Sequence, residues 1–62
     1  MKTTRSDIIS LRDASILAGD ADTVRLCTIA LGMDRLTERH ETVRRAWASC
    51  EDIIAFRAAR AA

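Results

Sequence analysis

The sequence predicts an all-α fold. Two short helices form a hairpin packed on one long C-terminal helix, a three-helix bundle expected to pair with a second copy. Three observations carry this expectation. First, the 62 residues contain no proline and two glycines, and the abundant alanine, leucine, arginine and glutamate are strong helix formers. Second, no stretch alternates apolar and polar residues over a strand length. Third, the glycines, Gly19 and Gly32, fall between segments whose apolar residues recur at helical spacing. The chain reads as a single helical domain, 1–62, with helices over about 7–18, 21–31 and 35–60.

The first helix is expected to open at Ser6, an N-cap residue whose oxygen can accept an orphan N–H bond. Asp7 then sits in the first turn, where the helix dipole favours a negative charge. Ile8, Leu11, Ser15 and Ala18 share one stripe, and Ile9, Ile16 and Leu17 carry the apolar surface well beyond it. Gly19 suits the left-handed position that closes a helix.

Asp20 opens the second helix in the same way as a cap. Val24, Cys27 and Leu31 make its expected inward stripe, with Leu26, Ile29 and Ala30 spilling round the sides, and Gly32 closes it. Each short helix is about 18 Å long. Isolated helices of that length are unstable in water, so both must pack on something.

The third helix is expected to begin after Asp34 and to run about 26 residues, or roughly 39 Å. Leu36, His40, Val43, Trp47, Cys50 and Ile54 repeat as a heptad stripe. These residues, apart from His40, are the expected core or self-association surface. Trp47 is its anchor, and His40 reads as a partly buried position at the polar end. A second stripe holds Arg35, Arg39, Thr42, Ala46, Ser49, Ile53, Arg57 and Arg60. Small residues ending in arginines suit docking of an acidic protein. The candidate partner-binding residues are therefore Arg35, Arg39, Ala46, Ile53, Arg57 and Arg60. The helix is longer than the hairpin can cover, so a homodimer is expected.

Several chemistries are excluded by spacing. Asp20, Asp22 and Thr23 resemble the start of a calcium loop, but its later ligand and glycine positions fall on Val24, Arg25 and Leu31. His40-Glu41 begins a zinc-protease helix, yet the required second histidine is Arg44. Cys27, Cys50 and His40 have zinc-ligand chemistry but lack a close Cys-x-x-Cys pair. Cys27 and Cys50 lie on inward stripes and can face each other, as small buried residues or, under oxidation, as a disulfide. Cys50 and His40 are about 15 Å apart on one helix, too far for a nucleophile and its base. No enzyme activity, metal or cofactor is expected.

Charge excludes a strong nonspecific nucleic-acid binder. Four basic and four acidic residues cancel in residues 1–31, and six arginines face five acids thereafter. The turn at Gly19 invites comparison with a helix-turn-helix. Its second helix, however, offers only Arg25 to DNA and places Asp20 and Asp22 where phosphate would lie. A small nucleic-acid-associated regulator using the third-helix arginines is the alternative reading. No apolar run is long enough for a membrane span, and MKTTRSD has no signal-peptide core, so a cytoplasmic protein is expected.

LRDASILAGDADTVRLCTIALG and, later, SCEDIIAFRAARAA resemble small hypothetical proteins of bacterial phages, plasmids and genomic islands. The pattern is Leu11-Arg12, Ala14, Ala18-Gly19-Asp20, Val24, Leu26-Cys27, Ala30-Leu31-Gly32, Cys50, Ile54 and an Ala/Arg tail. It covers about two thirds of the chain and consists of packing and capping residues. The link between the cysteine-bearing segments is longer here than in that group. The resemblance implies a small accessory protein of a mobile element or bacterium, with no assigned activity, while the third-helix surface is what suggests an adaptor or inhibitor.

Overall fold

The structure, a computed structural model, describes residues 3–32 and 40–61. Three helices make it up: α1, Arg5–Ala18; α2, Ala21–Ala30; and α3, His40–Ala61. There is no strand among the described residues. The expected cap at Asp34, and Arg35, Leu36 and Arg39, lie outside the described residues.

Local chemistry fixes the ends of α1. The helix opens two residues earlier than Ser6 would set it, at a capping box between Thr4 and Asp7. The Asp7 N–H donates to Thr4 Oγ1 at 3.3 Å, and the Thr4 N–H donates to Asp7 Oδ2 at 2.8 Å. Two orphan N–H groups are satisfied reciprocally, whereas a Ser6 cap alone could satisfy only one. At the other end Gly19 adopts φ 72°. There the N–H of Asp20 reaches Ser15 O at 2.9 Å and the Gly19 N–H reaches Ile16 O at 3.2 Å. This bond pair caps the last carbonyls and needs a left-handed residue between them.

Asp20 opens α2 as expected, accepting hydrogen bonds from the N–H and the hydroxyl of Thr23. Gly32, φ 66°, follows its end. The Arg5 guanidinium donates to Leu31 O at 3.2 Å, tying the start of α1 to the end of α2. The hairpin is therefore antiparallel and pinned at its open end.

The bundle is flattened, 37 × 26 × 16 Å. α2 lies in the middle, packed against both other helices, while α1 and α3 touch only lightly. The core is Ile8 and Leu11 from α1, Cys27, Ala30 and Leu31 from α2 and its end, and Ala46 and Cys50 from α3. Leu26, Ile29, Trp47, Ile53 and Ile54 are half-buried against it. Ser15 and Thr23 are also buried. Val24, expected inward, is half-buried, and Ala18 is exposed. Because α2 has neighbours on two sides, its inward face turns from Val24 toward Thr23 and Ala30.

Cys27 and Cys50 meet where α2 packs on α3, and the small Ala30 and Ala46 are buried in the same core cluster. Small residues let helix backbones come close and keep the packing dense.

Candidate functional site

The two stripes foreseen on α3 meet along its buried edge. The deepest positions are Cys50 from the heptad stripe and Ala46 from the arginine stripe. Val43, Trp47 and Ile54 flank this edge on one side and Ile53 on the other, all half-buried. Ala46, expected to meet a partner, is 2% exposed and belongs to the core. The reason is geometric. α3 has one main neighbour, α2, and the positions buried most deeply on it are the small Ala46 and Cys50 rather than the bulkier residues of the heptad stripe.

Cys27 and Cys50 come together in that seam. Both are free, buried thiols, and the Cys50 S–H points at Cys27 Sγ across 3.9 Å. Burial, with the neighbouring Cys27 adding to it, pushes the Cys50 thiol up to about 12. It is protonated at neutral pH, a state that neither attacks an electrophile nor binds a metal. The described residues contain no group of three or more histidine, cysteine or acidic side chains placed to hold a metal ion. His40 is the first residue of α3.

The solvent-facing side of the C-terminal half of α3 is different. Phe56 is 61% exposed, and the Arg60 guanidinium lies 5.6 Å from the centre of its ring. At that distance a guanidinium is drawn to the negative face of the ring. Arg57 is exposed beside them. Asp52, Ile53, Phe56, Arg57, Arg60 and Ala61 line a shallow groove of about 690 Å³. Arg60 also lies in the last turn, where a positive charge complements the helix dipole. Of the expected partner-binding residues, the structure brings Ile53, Arg57 and Arg60 to this groove. Phe56 was not foreseen as its centre. Its only sequence signal was its place three residues after Ile53, on the same side of the third helix.

A second exposed apolar region lies on α1. Ile16 and Leu17 are 57% and 90% exposed, and Ile9 is 37% exposed on the same flank. Arg12 and Asp13 lie between them, with Arg12 Nη2 3.6 Å from Asp13 Oδ1.

No described helix is long and apolar enough to cross a membrane. No family model matches the chain, and neither a curated protein nor a solved structure does so.

Proposed function

We propose that the chain is a non-enzymatic helical interaction module, an adaptor or inhibitor acting in the cytoplasm. It docks an acidic protein through the C-terminal half of α3 and also associates with itself. The observation that carries the docking surface is the exposed Phe56 with Arg60 held over its ring and Arg57 beside it. Aromatic and arginine side chains dominate the binding energy of protein interfaces. Among the residues lining the groove, Arg57 and Arg60 outnumber the one acid, Asp52, which favours an acidic partner. The resemblance to small proteins of mobile elements supports an accessory role of this kind.

The test compares immobilised wild-type protein with Phe56→Asp and Arg60→Glu, once circular dichroism shows equal helix content. Acidic proteins of the bacterial host retained by wild type, released by salt and lost with either variant support docking here. Equal retention by all three removes the α3 surface from the proposal. Duplex DNA binding at low salt, lost steeply as salt rises and abolished by Arg60→Glu, would replace a protein partner with nucleic acid.

A further inference from the structure

Both cysteines of the chain meet in the seam between α2 and α3, and the docking surface uses neither. Each is 0% exposed. They come from different helices, 23 positions apart in the sequence, yet their sulfurs lie 3.9 Å apart. A disulfide holds its sulfurs at about 2.05 Å, so the two must approach by about 1.9 Å. Rotation about the Cα–Cβ bonds sweeps each sulfur over distances of that size. The residues one turn away on the same helix faces, Ala30 and Ala46, are buried and small. We infer that Cys27 and Cys50 are a reversible oxidation site, joined as an intramolecular disulfide that latches α3 onto α2 when the chain meets a small-molecule disulfide.

The exchange takes two steps. One protein thiol loses its proton, and the thiolate attacks a sulfur of the small disulfide. A mixed S–S bond forms, the original S–S bond breaks, and one small thiolate leaves. The second protein thiol then loses its proton and attacks the protein sulfur of the mixed disulfide, expelling the second small thiolate. Cys27 and Cys50 give up two electrons to the small disulfide, and their two protons end on the departing thiolates.

The closed seam protects the pair. Burial keeps Cys50 protonated, and neither sulfur touches solvent, so no small disulfide reaches a thiolate there. Exchange therefore passes through a brief parting of α3 from α2, a local opening rather than global unfolding. The architecture favours that opening, because α1 and α3 touch only lightly and α3 is attached to the hairpin through α2. Once formed, the bond blocks the parting and also restricts the unfolded chain by closing a loop. In a reducing compartment the pair stays as thiols, so the bond is a response to oxidation and not a permanent staple. The inference does not rest on the docking surface at Phe56, and the failure of one leaves the other standing.

The test incubates the native chain with oxidised glutathione, then alkylates the remaining thiols, digests with trypsin without reduction and weighs the fragments. Cleavage after Arg25, Arg35, Arg45 and Arg57 leaves Cys27 in fragment 26–35 and Cys50 in fragment 46–57. The two fragments are expected to be joined after oxidation and separate after dithiothreitol. The intact chain should lose the mass of two hydrogens and form no covalent dimer. Its melting temperature should rise by about 10 °C or more over the reduced chain. Cys50→Ala, treated alike, should show neither the mass loss nor the rise. Should that variant not fold, the fragments of the native chain decide alone. Two free thiols under conditions that oxidise the urea-unfolded chain overturn the inference. So does glutathione retained on either cysteine as the end product, or a covalent dimer. An oxidised chain that melts no higher than the reduced one also overturns it, because the bond then latches nothing.

Discussion

Ile8 and Ile9 are the same residue at neighbouring positions of one helix, yet Ile8 is fully buried and Ile9 is 37% exposed. A step of about 100° round the helix separates them, and α2 covers one side of α1 only. Leu11 and Leu17 repeat the contrast, at 5% and 90% exposed. The inward side of α1 holds the monomer together, while the outward side contributes little to it. The difference shows that apolar content does not tell burial in a bundle this small. Helix phase does, and phase is set by the caps and by the nearest neighbour. The outward residues therefore need either a partner or tolerance of water.

The sharpest way to break this comparison is to truncate both isoleucines. Ile8→Ala removes buried methyl groups and leaves a cavity, at a cost of about 2–5 kcal/mol. Domains of this size have a total stability of only about 3–9 kcal/mol, so much of the Ile8→Ala protein should be unfolded at 25 °C. Ile9→Ala should cost about 1 kcal/mol or less, as a partly exposed site does. Urea denaturation followed by circular dichroism, at a concentration low enough to keep the chain monomeric, checks both. Equal losses at the two positions would mean that α1 does not have the two unlike sides described.

The same contrast exists on α3, between Ala46 in the seam and the exposed Ala55. Ala46→Leu forces three extra carbons between α2 and α3, and such overpacking costs about 1–3 kcal/mol. Ala55→Leu faces solvent and should be neutral to within about 0.5 kcal/mol. Thermal unfolding of the two variants separates them. A stable Ala46→Leu protein would show that the seam is loose and that Ala46 is free to meet a partner after all.

Much of this architecture was legible in the sequence, and the parts that were not have a common cause. Gly19, Asp20 and Gly32 could be placed because each answers a local demand: a left-handed residue, an oxygen acceptor, a stop. The excess apolar surface of α1 was also visible, since Ile9, Ile16 and Leu17 fit no single stripe. The sequence did not show which α3 residues would lie deepest. Counting apolar bulk favours Leu36, Val43, Trp47 and Ile54, but the deepest described positions on α3 are the small Ala46 and Cys50. A helix–helix seam built from small residues leaves little hydrophobic signal, and on α3 it divided two stripes that each looked complete. The free apolar flank was accordingly expected on the third helix, whereas α1 carries the larger share of exposed aliphatic surface.

The smallest expected effect acts on the caps that hold α1 and α2 in phase. Asp7 is held below its ordinary 3.8 first by the backbone N–H of Thr4 and then by the Thr4 hydroxyl. Asp20 is held below the same value first by the Thr23 hydroxyl and then by the Thr23 N–H, with Arg57 adding a weak pull. In both, the folded chain favours the charged carboxylate more than the unfolded chain does. Their contribution is therefore fully present above the unfolded value of 3.8 and disappears as pH falls through the lower folded values. Asp7 is exposed and Asp20 only half-buried, so solvent screens the effect and the shift in melting temperature is expected to be small. Asp7→Asn with Asp20→Asn keeps an acceptor oxygen at each cap but removes the charge. The melting temperature of wild type should fall relative to that variant below pH 3.8 and run parallel to it above. Parallel curves through the whole acid range would mean that the caps act only as neutral hydrogen-bond acceptors. The phase that buries Ile8 and exposes Ile9 would then owe nothing to their charge.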